Sequence, residues 1–153
     1  MRLGIDLGGT KTEIVALDGS QQVLRERVAT PQSGYDDVIR CMRDLVSAAE
    51  STLGRKGSVG VAIPGTISRG TGLVKNANAT RLIGHPLDRD LSAAIARPVR
   101  VANDANCFTL SEASDGAAAD ADIVFGVIVG TGCGGGISVG RRVLTGAHGI
   151  AGE

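Results

Sequence analysis

Five short stretches of the chain set acids, amides, hydroxyls or amines beside glycine, and each has a chemistry to offer. The first is Asp6-Leu7-Gly8-Gly9-Thr10-Lys11. Glycines let an anion come close to the backbone, because no Cβ intervenes. Successive turn amides form a concave anion site. Thr10 adds a hydroxyl donor and Lys11 a charge. Asp6, at a strand end, is the kind of hard oxygen ligand that holds a hydrated divalent cation. A plain Gly-Gly hairpin explains the glycines, but not the acid, the hydroxyl and the amine together.

The second stretch is Gly130-Thr131-Gly132-Cys133-Gly134-Gly135-Gly136. It too follows an apolar run and carries a threonine near its tip. Two such turns facing each other across a cleft can grip one polyphosphate from both sides. Neither is a P-loop, because no GxxxxGK[ST] leads into a helix. Neither is a dinucleotide fingerprint, because a strand follows each turn where a helix is required. In the third stretch, Asn103-Asp104-Ala105-Asn106, Asp104 stands at the start of a helix. It reads as an N-cap, or as a carboxylate at a cleft mouth that accepts a hydroxyl proton during phosphoryl transfer; one residue can be both. The fourth pairs Pro64-Gly65-Thr66 with Lys75-Asn76-Ala77-Asn78. Its amide side chains carry a donor and an acceptor each, suited to vicinal sugar hydroxyls, and turn chemistry explains the same residues. The fifth is Gly149-Ile150-Ala151-Gly152-Glu153, whose acid reads, taken alone, as solvated.

The elements that must position these residues follow from periodicity. Strands are expected over 3–7, 12–17 and 22–28, a meander with turns at Gly8-Gly9 and Asp18-Gly19. From Tyr35 to Leu53 the period lengthens: Val38, Ile39, Met42, Leu45, Val46 and Ala49 share one helical face. A buried strand is expected over 59–63, stopped by Pro64-Gly65, then a loop to Pro86. A short helix over 91–96 has Asp88 as its candidate N-cap. Strand 99–102, a helix from Asp104 to about Ala117 and strand 123–129 complete the series. A glycine-rich turn over 130–136 and a return strand over 137–139 repeat the shape of the opening unit. A meander followed by αβ units gives a mixed sheet with helices on its faces, an α/β class. The small, polar-flanked run at 115–122 marks a junction. It divides the chain into an α/β domain over 1–117 and the incomplete start of a second over 118–153.

Composition narrows the function classes. The 153 residues carry zero formal net charge, with no basic block for nucleic acid and no basic amphipathic stretch for a membrane. There are 23 glycines, about twice the usual share of about 7%, and they cluster at the turns described. Tyr35, Phe108 and Phe125 are the aromatics, so the core is expected to be aliphatic. Cys41, Cys107 and Cys133 are odd in number and far apart, which suggests neither a disulfide framework nor a metal site. No signal-peptide h-region opens the chain, and a cytoplasmic setting is expected.

In this order the motifs resemble those of the ROK family (repressors, open reading frames, kinases) of bacterial sugar kinases, within the actin-like ATPase, ribonuclease H-like fold. GIDLGGTK is similar to the family's first phosphate loop, VANDANC to its catalytic-aspartate segment, GTGCGGGI to its second phosphate loop, and GIAGE to the start of its sugar-binding element. The resemblance implies an ATP-dependent hexose kinase that uses Mg²⁺. Asp104 would be the catalytic base. Gly65, Asn78, Asn103, Asp104 and Glu153 would touch the sugar. Gly8, Gly9, Thr10, Lys11, Thr131, Gly132, Cys133 and Gly134 would hold the ATP phosphates, and Asp6 the Mg²⁺ through water. IPGTIS, GLVKNANAT and VANDANC look closest to the fructokinase/mannokinase branch, which implies transfer to a 6-hydroxyl; NDANCF and LSEA also resemble the N-acetylglucosamine kinase branch. The family's zinc site and adenine pocket would lie downstream of Glu153, and a homodimer is implied for the longer form. A noncatalytic sugar-binding module is the reading from another class. A sugar-responsive repressor would need a DNA-binding helix-turn-helix ahead of Gly4, where the sequence has no room for one.

Overall fold

The structure is a computed structural model that describes residues 1–129 and 133–153. Strands β1 (Arg2–Leu7), β2 (Lys11–Asp18) and β3 (Gln21–Ala29) form the antiparallel meander. Helix α1 (Tyr35–Leu53) crosses back to β4 (Ser58–Ile63), which runs parallel to β1. A two-stranded hairpin, β5 (Thr66–Ile67) and β6 (Val74–Lys75), leads through a 3₁₀ turn at Thr80–Leu82 to α2 (Leu87–Ala94). Strand β7 (Val99–Asn103) lies parallel to β4 and passes directly into α3 (Asp104–Asp115). Strands β8 (Ile123–Val129), β9 (Cys133–Val139) and β10 (Arg142–Val143) make a second antiparallel sheet. The first sheet has the order β3-β2-β1-β4-β7 and is therefore mixed.

The core forms where two periods meet. Alternation in β1 and β4 sends Leu3, Ile5, Leu7, Val59, Val61 and Ile63 to one face. The helical period of α1 returns Val38, Met42, Leu45, Val46 and Ala49 to the same layer. Leu82, Leu87 and Leu91 seal the side nearest the 3₁₀ turn and α2. Among the described residues no helix is long and apolar enough to cross a membrane.

Three expectations need correction. The stretch 64–86 is not all loop, since β5 and β6 pair within it and the N–H of Val74 reaches His85 O at 3.0 Å. Two-residue strands carry too little periodicity to be read. Helix α2 begins at Leu87 and ends at Ala94, and Asp88 is not its cap. Pro86 opens it instead: its ring fixes φ, and its carbonyl accepts the N–H groups of Arg89 and Asp90 at 3.0 Å each. The return strand of the second unit starts at Cys133, so Gly134, Gly135 and Gly136 lie in β9 and not in a turn. Their small size serves packing. Gly126 and Gly136 face each other across the β8–β9 ladder. A Cβ on either would collide with the Thr109 side chain of α3. Glycine lets α3 lie directly on this sheet.

Candidate functional site

The three parallel strands bring their carboxyl ends to one level, with Asp6 beside Ala62 and Ile63 beside Asn103. The segments that leave those ends carry Gly8 to Lys11, Pro64-Gly65 and Asp104. Ligands of α/β sheets bind outside the carboxyl ends of parallel strands, so the register alone assembles a site from residues about 100 positions apart.

A cleft of about 230 Å³ opens there and is lined by Gly65, Asn78, Asp104, Cys133, Gly134 and Glu153. The six residues come from five segments of the chain. Asn76 also faces the cleft, with a left-handed backbone at φ 56°. Gly65 has φ 93°, and a Cβ there would meet the carbonyls of Lys75 and Asn76 and the nitrogen of Ala77. Its absence of a side chain lets the two segments touch, which presents Asn76 and Asn78 to the cleft. Ile128 and Cys133, from the β8–β9 unit, form part of the opposite wall.

Asn103 and Asp104 divide the work expected of Asp104. The N-cap of α3 is Asn103, whose Oδ1 accepts the N–H of Asn106 at 2.9 Å. Its Nδ2 donates to Asp104 Oδ1 at 3.2 Å. Asn103 is buried and does not line the cleft; its amide is taken up by the cap and by its neighbour. Asp104 is thereby released from capping. It occupies the first turn of α3, where its Oδ1 also accepts the N–H of Ala105 at 2.8 Å. Burial raises its pKa from the ordinary aspartate value, and the N–H groups of Ala105 and Asp104 oppose that rise.

Asp6 is electrostatically part of the same site. Its pKa is raised, first by burial, then by the charges of Asp104 and Glu13, against the opposing pull of Arg27. Burial and the charges of Asp104 and Asp6 raise the Cys107 thiol as well. Two carboxylates that repel each other are a donor set that a divalent cation relieves. With two at hand among the described residues, such an ion would complete its shell from water and phosphate oxygens, so the residues present fit Mg²⁺. Glu13, which the sequence reading passed over, faces Asp6 across the β1–β2 ladder. It accepts Arg25 Nε at 2.8 Å and Arg27 Nε at 2.5 Å.

The first glycine turn lies between β1 and β2. Gly8 donates its N–H to Lys11 O at 2.9 Å, and a Cβ on Gly8 would sit 2.9 Å from that same oxygen. Around a Cβ on Gly9 there is open space within 4 Å. Thr10 and Lys11 are exposed. Of the second glycine-rich stretch, Cys133 and Gly134, at the start of β9, line the cleft, while Thr131 and Gly132 lie outside the described residues.

Comparison with known proteins places this geometry. The model of the ROK family matches residues 2–153. An N-acetyl-D-glucosamine kinase from Pectobacterium atrosepticum is 44% identical over 154 residues, which take in the whole of this chain and 51% of that protein. The chain thus spans about half the length of the curated relatives it matches. A ROK hexokinase from Thermus thermophilus superposes with a TM-score of 0.82 at 34% identity, over 99% of this chain and 51% of that one. A ROK family glucokinase from Streptomyces griseus, solved with glucose and AMPPNP, superposes with a TM-score of 0.87 at 28% identity, over 98% of this chain and 48% of that one. The mixed sheet with flanking helices is therefore the actin-like ATPase fold that the motifs implied, and the chain belongs to the ROK family.

Proposed function

We propose that this chain carries the sugar-gripping and phosphate-gripping residues of an ATP-dependent sugar kinase, with Asp104 as its general base. The observation that carries the reading is the convergence of Asp104 with Gly65, Asn78 and Glu153 in one cleft, beside the glycine turn that follows β1. Asn78 and Glu153 supply amide and carboxylate partners for ring hydroxyls. Asp104 takes the proton of the acceptor hydroxyl as that oxygen bonds to the γ-phosphorus and the bond to the ADP oxygen breaks. A carboxylate whose pKa is raised by burial is the stronger proton acceptor. Asn103 acts as a positioning residue, because its amide holds Asp104 Oδ1 while its own oxygen caps the helix. The amides and side chains of Gly8 to Lys11 hold phosphate oxygens, and Thr131 and Gly132 would join them in the role that the motif resemblance gives them. Asp6 would hold Mg²⁺ through water, and the ion would supply charge neutralisation at the phosphates. The division at 117/118 belongs to this reading: 1–117 supplies the base and the first turn, and 118–153 the facing wall.

The preferred acceptor in this reading is N-acetylglucosamine. The support is the 44% identity with an N-acetyl-D-glucosamine kinase. Fructose and mannose remain the alternative acceptors that IPGTIS, GLVKNANAT and VANDANC implied.

The test is Asp104→Asn in the full-length protein. Loss of a general base costs about 10²- to 10⁴-fold in kcat, while the sugar KM changes little because the amide retains hydrogen bonding. Initial rates of ADP release with N-acetylglucosamine, glucose, mannose and fructose measure both. A near-normal kcat in this variant would leave Asp104 as no more than a first-turn residue of α3.

A further inference from the structure

We propose that Arg81, acting through Gln32, is a positioning residue for the first phosphate loop; it sets the Gly9 peptide so that the loop's free amides face the polyphosphate. The proposal rests on the kinase reading above and concerns residues outside every motif that led to it.

The carbonyls of the turn are all engaged. Lys11 O accepts the N–H of Gly8 at 2.9 Å, and Thr10 O accepts the N–H of Thr30 at 2.9 Å. Gly8 O accepts Thr30 Oγ1 at 2.9 Å. Gly9 O accepts Gln32 Nε2 at 3.0 Å and Arg81 Nη2 at 3.3 Å. Among the described residues no protein acceptor takes the N–H of Gly9 or of Thr10. A turn whose oxygens are all engaged while consecutive N–H groups stay unpaired can present an anion-binding concavity.

Gln32 is the hinge of the arrangement, and Arg81 decides its orientation. A glutamine amide can present either its oxygen or its nitrogen to Gly9 O, and only the nitrogen can bond. Arg81 Nη2 donates to Gln32 Oε1 at 2.7 Å, which turns Nε2 toward Gly9 O and toward Thr30 O at 2.8 Å. Arg81 Nη1 also donates to Pro31 O at 3.2 Å. The guanidinium thus spans Gly9, Pro31 and Gln32, a reach that needs its planar fork of donors.

Arg81 lies in the 3₁₀ turn Thr80–Leu82, next to the fully buried Leu82. Asn78, three residues earlier, lines the sugar cleft. One turn of chain therefore serves both sites: Asn78 reaches into the cleft and Arg81 reaches 72 residues back to Gly9.

The test uses the full-length protein, with Mg-ATP and N-acetylglucosamine titrated separately by calorimetry and steady-state kinetics run in parallel. Arg81→Ala is expected to weaken Mg-ATP by about 5- to 20-fold, the loss of a charge-assisted bond at the loop, with the sugar KM unchanged within about twofold. Gln32→Ala is expected to do the same. The double variant should be little worse than either single one, because the two side chains act in one chain of bonds. Added guanidinium ion should restore ATP affinity to Arg81→Ala and not to Gln32→Ala, a rescue that a general loss of packing would not show. Unchanged ATP affinity in both variants, additive losses, or equal losses for ATP and sugar would overturn the assignment. If Arg81→Ala does not fold, Gln32→Ala, at an exposed position, decides by the same ATP criterion. A wild-type protein that binds Mg-ATP but phosphorylates no sugar sinks the kinase reading while the binding comparison still judges Arg81. A wild type that binds no Mg-ATP overturns both.

Discussion

Gly8 and Gly9 are neighbours with opposite reasons to be glycine. A side chain at Gly8 would press on Lys11 O, the acceptor of Gly8's own N–H, so that glycine belongs to the fold. Gly9 has open space where its Cβ would stand, so the fold does not demand glycine there, whereas in the proposed kinase close approach of a phosphate to the backbone would. Gly9→Val is therefore expected to leave the melting temperature nearly unchanged, as surface substitutions usually do, and to weaken Mg-ATP by about tenfold or more through steric loss of a phosphate contact. Gly8→Val is expected to lower the melting temperature clearly. Differential scanning fluorimetry with and without Mg-ATP separates the two, and a large melting loss in Gly9→Val would remove the distinction. The sequence shows two adjacent glycines; which one packing requires and which one it leaves free depends on where Lys11 O falls after the chain reverses.

At the scale of elements, α1 is tied to the segment after α2 by a half-buried ion pair. Arg97 Nη2 donates to Glu50 Oε1 at 2.6 Å and Nη1 to Oε2 at 3.1 Å, and Gly57 N–H adds a third bond at 2.9 Å. Burial alone would raise the Glu50 pKa. Arg97 and the Gly57 amide outweigh it, and the net shift is downward. The sign of the linkage follows. A carboxyl whose folded pKa lies below its unfolded one contributes stability above the ordinary glutamate range, and loses it as pH falls through the lowered value. Glu50→Gln is expected to cost about 1–2 kcal/mol near neutral pH, the worth of a charge-assisted bond in a partly exposed setting. The gap from the wild type should close as the pH is taken below the ordinary glutamate range. Urea titrations across that range measure it, and a gap that stays constant with pH would show that the pair contributes through packing and not through charge. The helix itself was legible from its apolar period; its partner was not, because Glu50 and Arg97 are 47 residues apart and nothing local marks them as a pair.

Across the whole molecule, the second sheet leaves an apolar face open. Ile123, Phe125, Val127 and Val129 of β8 alternate onto one side and are 70%, 61%, 52% and 77% exposed. Among the described residues the free edge of β8 pairs with no strand. An exposed apolar strand at a sheet edge is a template for association. The 153-residue chain expressed by itself is expected to self-associate in a concentration-dependent way, and Val127→Lys should shift it toward monomer by placing a charge in the middle of the stripe. Size-exclusion chromatography with light scattering checks both, and a wild-type monomer at all concentrations would count against the stripe as the cause. In a kinase whose site closes between two walls, this strand belongs to the wall that carries Ile128 and Cys133.

The sequence alone determined the parts whose signals are local. The alternation of β1 to β3 and β4, the 3.6-residue period of α1 and the glycine punctuation after β1 and β8 are properties of a few consecutive residues. So are the motifs that point to a phosphate- and sugar-handling site. Tertiary structure decided everything that depends on which distant residues meet. Parallel register between β1, β4 and β7 sets Asp6, Gly65 and Asp104 at one level. Asn103 takes the helix cap and frees Asp104. Gly134 to Gly136 lie in a strand because β9 pairs with β8 and α3 rests against Gly126 and Gly136. Arg81 finds Gly9 across 72 residues. Local periodicity reports which face of an element is apolar, but the contacts that assign a polar residue its role form only after those faces have packed.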